Sequence, residues 1–330
     1  MPLIQESTYM PPPLMANGHV QTIYPFIFRK IKELSYARSR INTADGDFLD
    51  LDCLDQDSKE VVILTHGLEG NSNSAYIKGM ARHFSRRGSD VIAWNMRSCS
   101  GEMNRSHLFY HSANYNDLES VIQWARAKNQ YKKIVLVSFS LGCNITAKYL
   151  GAMGHNIPAE IQACTLFSAP CCLDATVDSL KGPFGKVYLE SFLVTMRKKI
   201  VAKSKIMELP GIDPTDLANI NNIKTFRDFD KKFTAPLAGF KDHREYWKEA
   251  SCYQDLGNIR IPTLIVNAKN DPFLNGKCYP TLIAAKNPYL HLEIPESGGH
   301  LGFVAFNQHD RYWSEQRASQ FVSKNLGLVA

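Results

Sequence analysis

A serine between small residues is the side chain most suited to covalent chemistry in this 330-residue sequence. Ser140 is central in the segment Ser138-Phe139-Ser140-Leu141-Gly142, which follows the apolar run Ile134–Val137 and precedes a helical pattern. Small residues two positions before and after a serine permit a sharp strand-to-helix turn that exposes the hydroxyl. Glycine is usual where this chain has Ser138, but serine is also small. We predict that Ser140 is a nucleophile; the structural alternative is a serine that only caps a helix.

An imidazole and a carboxylate that could activate this hydroxyl follow later in the chain. A serine hydroxyl is a poor nucleophile at neutral pH unless a base takes its proton. In folds with this turn, the chain order is serine, acid, histidine. Asp271 lies just past the apolar run Leu264–Val266, and His300 lies in the glycine-rich loop Ser297–Phe303. We therefore predict His300 as the base and Asp271 as the acid that orients it.

Two other carboxylates remain alternatives to Asp271. Asp174 comes soon after a predicted strand that ends at Phe167, and Glu296 precedes the histidine loop. An aspartate before proline is often only a turn residue. What favours Asp271 is the order of the three groups, since each follows the end of a predicted strand.

A second glycine-containing loop is the candidate for binding a developing oxyanion. The run Val61–Leu64 leads into Thr65-His66-Gly67-Leu68-Glu69-Gly70. In folds of this type, the loop after that strand donates one N–H and the residue after the nucleophile donates another. We predict the N–H groups of Leu68 and Leu141, and expect His66 to hydrogen-bond within its loop. A phosphate-binding loop is disfavoured because neither Gly-Lys-Ser/Thr nor G-x-G-x-x-G is present.

These groups would be positioned by short apolar runs that alternate with amphipathic helical segments. The predicted strands are 61–64, 91–94, 134–137, 164–167, 264–266 and a shorter one near 292–294, and the predicted helices are 75–87, 115–127, 141–150 and 311–326. Continuous apolar strands between helices indicate a mostly parallel sheet with helices on both faces. Before them, Asp45-Gly46 is a turn signal between Arg40–Ala44 and Asp47–Leu54, which predicts an antiparallel hairpin.

Two parts of the chain interrupt this alternation. Residues 173–250 contain apolar positions at roughly helical spacing and no strand run, which predicts a mostly helical lid insertion. The Pro-rich stretch through about Lys30 is expected to be irregular and to wrap the outside. We interpret residues 1–330 as a single α/β domain that carries the lid at 173–250.

Composition and charge are those of an ordinary globular protein. The net charge is +6 and no basic block has the form of a nucleic-acid-binding tail, so we expect no nucleic-acid partner. The eight cysteines form no CxxC pair and are expected to be buried thiols, with no metal site. The N-terminus has no signal-peptide pattern, and no apolar run approaches about 20 residues, which predicts a cytoplasmic protein. The basic segment Met196–Lys205 could lie on a membrane, although a solvated lid face is favoured.

Beyond these groups, several segments resemble one branch of the α/β-hydrolase superfamily, the YheT-like branch. It includes bacterial hydrolases, yeast medium-chain ethyl ester synthases/esterases and vertebrate membrane-anchored lipases. The matching segments are Asn17-Gly18-His19-Val20-Gln21-Thr22, His66–Gly70, Asn95–Gly101 with Ser98 in place of glycine, Tyr110-His111-Ser112 with Ala113 in place of glycine, Phe233–Pro236, Gly239-Phe240, Asn270–Phe273 and Gly298–His300.

The resemblance implies an α/β-hydrolase fold and cleavage of short- to medium-chain acyl esters or acylglycerols, without a metal or organic cofactor. The predicted triad would act through an acyl-enzyme on Ser140, and the expected partner is a small-molecule ester. Acyl transfer to an alcohol and thioester hydrolysis remain alternatives, because the same triad serves them. A non-catalytic binding module is less favoured because no triad member is missing. The vertebrate members' N-terminal anchor has no counterpart in this sequence, which favours the bacterial type. Oligomeric state is left open.

Overall fold

A mixed sheet forms the centre of the protein in a computed structural model that describes residues 3–32, 34–307 and 309–327. Within these residues, nine strands are hydrogen-bonded in the order β1-β9-β8-β7-β6-β4-β5-β3-β2. The strands are β1 (Leu3–Ile4), β2 (Ala37–Asn42), β3 (Phe48–Leu54), β4 (Glu60–Thr65), β5 (Asp90–Asn95), β6 (Lys133–Phe139), β7 (Ile161–Phe167), β8 (Thr263–Val266) and β9 (Leu290–Glu293). The pairs β1–β9, β9–β8, β8–β7, β7–β6, β6–β4 and β4–β5 are parallel. The predicted mostly parallel sheet is confirmed.

The helices lie between and after these strands. Those outside the insertion are α1 (Gly18–Phe28), α2 (Ala75–Ser85), α3 (Asn116–Ala127), α4 (Leu141–Met153), α11 (Thr281–Lys286) and α12 (Trp313–Asn325). Between β7 and β8 come α5 (Leu173–Ser179), α6 (Pro183–Ser204), α7 (Pro214–Ala218), α8 (Phe226–Phe229), α9 (Ala235–Leu237) and α10 (His243–Ala250), with a π-helical turn at Asp230–Thr234. Single 3-10 turns occur at Gly154–Asn156, Ile220–Asn222, Cys252–Gln254, Leu256–Asn258 and Gly276–Cys278. None of the helices in the described ranges has the length and apolar character needed to cross a membrane.

Alternate residues of the central strands enter two separate cores. On β4, Val61 and Ile63 pack with residues of α3 and α4, whereas Val62 and Leu64 pack with residues of α2 and α12. This alternation follows from the pleat of a strand, whose successive side chains point to opposite faces. Both faces are covered by helices, and for this reason the strands appear in the sequence as uninterrupted apolar runs.

The predicted N-terminal hairpin is formed by β2 and β3, which pair antiparallel. Its turn has Gly46 at φ 80°, a left-handed conformation that glycine adopts without strain. Strand β3 also pairs antiparallel with β5 and so joins the hairpin to the parallel part of the sheet.

The prediction of an irregular segment through Lys30 is wrong. Leu3–Ile4 adds β1 to the sheet edge, and Gly18–Phe28 forms the eleven-residue helix α1. The Asn17 side chain caps this helix by accepting hydrogen bonds from the N–H groups of His19 and Val20. The helix escaped prediction because its apolar residues do not form an inward-facing stripe and Pro25 interrupts the pattern.

The segment between β7 and β8 is helical, as predicted, and residues 173–250 contain no strand. It has its own buried cluster, which includes Leu193, Ile200, Phe229 and Phe233. This packing gives the insertion a defined shape above the carboxyl ends of the strands.

Candidate active site

The sharp turn after β6 places the Ser140 hydroxyl at the start of α4. Ser140 has φ 50° and ψ −125°, a strained conformation for a residue with a side chain. Gly142 lies so close to the β4 loop that an added Cβ would be 2.4 Å from the His66 carbonyl oxygen. Ser138 is fully buried, and its Oγ is 2.7 Å from Thr146 Oγ1. The serine that replaces the usual glycine is thus accommodated by a hydrogen bond.

The three predicted catalytic side chains meet at the carboxyl ends of three strands. His300 Nε2 lies 2.8 Å from Ser140 Oγ. His300 Nδ1 lies 2.9 Å and 3.1 Å from the two carboxylate oxygens of Asp271. With a proton on Nδ1, the ring donates to Asp271 and leaves Nε2 free to accept the serine proton. Phe273 stacks on the imidazole at 4.2 Å between ring centroids and limits its movement.

Asp271 is buried, whereas the two alternative acids are in solvent. Its side chain is 0% exposed, and one carboxylate oxygen also accepts the Phe273 N–H at 2.9 Å. Asp174 and Glu296 have side chains 66% and 81% exposed, and their ion-pair partners are Arg227 and Lys269. Of the three carboxylates, only Asp271 is hydrogen-bonded to His300.

The loop after β4 leaves one backbone N–H free next to Ser140. The Gly67 N–H donates to the Tyr76 hydroxyl and the Glu69 N–H donates to the Tyr110 hydroxyl. Within the described residues, the Leu68 N–H between them has no acceptor. The predicted donors Leu68 and Leu141 border the same cavity as Ser140.

His66 has the structural role expected of it. Its Nδ1 lies 2.7 Å from the Gly67 carbonyl oxygen, and its Nε2 accepts the Met96 N–H at 3.0 Å. Burial lowers the pKa of His66 to about 4, so the ring is neutral at pH 7. A neutral ring with both nitrogens engaged fixes the loop and is unavailable as a base.

Helix α1 supports the histidine loop through polar contacts that sequence reasoning did not assign. The Thr22 hydroxyl accepts the His300 N–H at 2.9 Å, and the Gln21 amide donates to Ser297 Oγ at 2.7 Å. Asn270 accepts the Gly299 N–H and donates to the Ala16 carbonyl. The segment around Gln21 and Thr22 resembles a motif of the family, which indicated that these residues matter. The sequence did not show that they contact the histidine loop.

Replacing Gly18 with alanine should destabilise this support. A Cβ on Gly18 would lie 1.9 Å from the Asn270 carbonyl oxygen, so the helix and the acid loop would have to separate. We expect Gly18→Ala to lower the free energy of unfolding by about 1–3 kcal/mol, the usual cost of overpacking. Urea unfolding measures this, with Gly257→Ala as the control because nothing lies near its added Cβ. Equal stability of the two variants would contradict the close approach.

The cavity above Ser140 is mostly apolar and is enclosed by the insertion. Its empty volume is about 1140 Å³, including the open space at its mouth. Apolar walls come from α5, α6 and α8, for example Leu173, Phe192 and Phe226. Asp230 also lines it; burial raises the pKa of this carboxyl to about 6, and the Trp247 indole N–H donates to it at 2.7 Å. The space suits a hydrocarbon chain attached to a reacting carbonyl group.

Basic residues of α6 fasten the insertion to the sheet loops. Lys199 Nζ is 3.0 Å from Glu69, whose carboxylate also accepts the Tyr110 hydroxyl proton at 2.7 Å. Lys203 is fully buried; its ammonium donates to the Ser106 carbonyl at 2.6 Å and to Asn104, and burial lowers its pKa to about 8. The predicted basic segment 196–205 therefore directs part of its charge inward, and its contact with a membrane stays a prediction.

Comparison with known proteins agrees with this architecture. Residues 60–305 match the family model described as the alpha/beta hydrolase fold. YheT of Escherichia coli is 31% identical, over 94% of this chain and 92% of its own. The human phospholipase ABHD3 is 29% identical, over 92% of this chain and 75% of its own.

Solved structures give the same result for the fold. A crystal structure of an esterase from Pyrococcus furiosus has a TM-score of 0.60 at 14% identity, and the likeness covers 98% of this chain and 100% of that one. At such low identity, the likeness shows the fold alone. Taken with the sequence matches, these findings show that the chain belongs to the α/β-hydrolase family, in the branch that contains YheT.

Proposed function

We propose that this protein, a carboxylic ester hydrolase, cleaves its substrates through an acyl-enzyme on Ser140. The distance of 2.8 Å between Ser140 Oγ and His300 Nε2 carries the proposal, because it lets the base take the proton as the oxygen attacks. Asp271 is the third member of the triad, and Leu68 and Leu141 are the proposed oxyanion donors.

The proposed reaction has two steps that use the same groups. In the first, Ser140 attacks the ester carbonyl, His300 takes the hydroxyl proton, and the N–H groups of Leu68 and Leu141 stabilise the oxyanion. His300 then gives the proton to the departing alcohol. In the second step His300 takes a proton from water as the water oxygen attacks the acyl carbonyl. The bond to Ser140 Oγ then breaks, His300 returns the proton to this oxygen, and the acid is released.

The substrate that fits best is a small ester with a short or medium acyl chain. The apolar wall formed by Leu173, Phe192 and Phe226 would bury such a chain next to the carbonyl. A yeast relative of 28% identity is named medium-chain fatty acid ethyl ester synthase/esterase 2, which supports both the chain length and transfer to an alcohol as the second candidate activity. We treat residues 1–330 as one domain and 173–250 as its lid, and place the enzyme in the cytoplasm, where its eight free thiols would stay reduced.

Partitioning of the acyl group tests this mechanism. With a fixed alcohol concentration present, two esters that share an acyl group but differ in leaving alcohol should give the same ratio of transfer product to acid. The ratio should be the same because both esters form the same acyl-enzyme, which then reacts with water or with the added alcohol. A ratio that changes with the leaving alcohol would contradict a common intermediate, and the size of the ratio separates a hydrolase from an acyltransferase.

The ion pair between Lys199 and Glu69 should influence the oxyanion loop. Lys199→Met removes the cation beside the Glu69 carboxylate. Glu69 directly follows Leu68, and its backbone N–H donates to the Tyr110 hydroxyl. Since oxyanion contacts strengthen in the transition state, we expect kcat to fall about tenfold with a smaller change in KM. Lys199→Arg should recover most of the loss.

Steady-state kinetics with a short, water-soluble ester measures this effect. Lys198→Met is the matched control, because Lys198 is the exposed neighbour on the same helix. A rise in KM alone for Lys199→Met would mean that the lysine only shapes the acyl pocket.

A further inference from the structure

Helix α1 shows the reverse of the usual arrangement of polar and apolar residues. Its polar side chains Gln21 and Thr22 point inward and bind the histidine loop. Every residue of α1 that is exposed is apolar, and these are Val20, Ile23, Phe26, Ile27 and Phe28. Phe26 is 90% exposed and Phe28 is 63% exposed. A helix in a soluble protein normally buries its apolar stripe, so this exposed side calls for a partner.

The apolar surface extends beyond α1 onto two neighbouring segments. The ring of His19 stacks on Phe184, at the start of α6, with 4.4 Å between centroids. Tyr24 contacts Phe306 at 5.8 Å. Phe184, Phe306 and Val187 are themselves 56%, 60% and 66% exposed. We call the exposed side of α1 together with these three residues the apolar face.

Lysines lie beside this face at two places. Residues 7–32 contain no aspartate or glutamate, whereas Lys30 and Lys32 are exposed just after α1. Lys186 is exposed between Phe184 and Val187. Apolar side chains flanked by lysines match a surface of acyl chains covered by anionic headgroups.

The face is connected to the catalytic histidine by a short series of aromatic contacts. His19 Nδ1 lies 3.0 Å from the Tyr188 hydroxyl, and the Tyr188 ring is 5.0 Å from that of Phe273. Phe273 in turn stacks on His300. The apolar face is therefore joined to His300 through the rings of His19, Tyr188 and Phe273.

We propose that the apolar face docks on an anionic lipid surface, with Phe26 and Ile27 entering the acyl region and the flanking lysines contacting headgroups. This placement differs from a membrane contact through residues 196–205, where Lys199 and Lys203 are engaged within the protein. Docking does not require catalysis, so it can be tested independently of the proposed function.

Vesicle flotation tests the proposal with the full chain. We expect binding to vesicles of phosphatidylglycerol and phosphatidylcholine in equal parts, and weaker binding to phosphatidylcholine alone. The double variant Phe26→Ser/Ile27→Ser should reduce partitioning at least about tenfold, because it removes two inserted side chains. Lys30→Gln/Lys32→Gln should weaken only the binding to anionic vesicles, and added salt should do the same.

The control variant is Leu282→Ser, which removes a side chain that is 73% exposed on α11 and outside the apolar face. It should bind vesicles as the unmodified protein does. Thermal unfolding and hydrolysis of a water-soluble ester check that the serine variants of α1 remain folded. Equal vesicle binding by the α1 variants and the unmodified protein would overturn the proposal. The proposal would also be overturned if the unmodified protein did not bind vesicles and instead formed a dimer in sedimentation that the α1 variants no longer form.

Discussion

Ser140→Ala is expected to lower the turnover of a chromogenic ester at least about a thousandfold. The substitution removes the only oxygen that lies 2.8 Å from His300 Nε2 among the described residues, so no acyl-enzyme can form. Binding and the oxyanion N–H groups remain, and these can sustain a small residual rate. Initial rates at saturating substrate measure the loss.

The matched control is Ser138→Ala, two residues earlier, in the last part of β6. Its hydroxyl is buried against Thr146 and does not face the cavity. We expect turnover within a few-fold of the unmodified enzyme, at the cost of about 1 kcal/mol for one lost hydrogen bond. Near-normal hydrolysis by Ser140→Ala would remove Ser140 from the mechanism.

Asp271→Asn should have the second large effect, a loss of about a thousandfold or more in kcat. Asp271 accepts from His300 Nδ1 and from the Phe273 N–H, so one side chain fixes both the ring and its proton. An asparagine amide of the same shape presents an N–H to the ring and favours the tautomer with its proton on Nε2. Nε2 could then no longer accept the serine proton.

The alternative acids provide the control for this prediction. Asp174→Asn and Glu296→Gln change exposed carboxylates that pair with Arg227 and Lys269, so kcat should be unchanged. A larger loss in either of these variants than in Asp271→Asn would reassign the acid.

The part of the site that follows the ends of strands could be predicted from the sequence. Each of Ser140, Asp271 and His300 follows a strand, and parallel strands bring their carboxyl ends to one edge of the sheet. The apolar runs were readable because both faces of the sheet are buried. The strand pattern, the chain order and the small residues around Ser140 and His300 were therefore enough to predict that these three side chains meet, whereas their catalytic roles stay a prediction.

The supports of the site could not be predicted in the same way. Helix α1 has its polar residues inward and its apolar residues outward, so a method that assigns apolar positions to the core fails there. Its partners at Ser297 and His300 are far away in the sequence, and one strand of the same region, β1, has only two residues. These contacts depend on tertiary packing.

The polar contacts of the helical insertion could not be predicted for a related reason. The sequence showed a basic helical segment, but not that Lys199 pairs with Glu69 or that Lys203 is buried against the Ser106 carbonyl. A lysine in a helical pattern is usually solvated. Only the fold of the insertion over the β4 loop brings these charges together.

Covalent labelling with a fluorophosphonate, followed by mass spectrometry of the digested protein, tests the central claim most directly. The reagent phosphonylates a serine only when a base and an oxyanion site activate it. We predict one phosphonyl group per chain, on the peptide that contains Ser140, and none in Ser140→Ala. Labelling of a different serine, or no labelling of the folded protein, would contradict the proposal that Ser140 is the nucleophile.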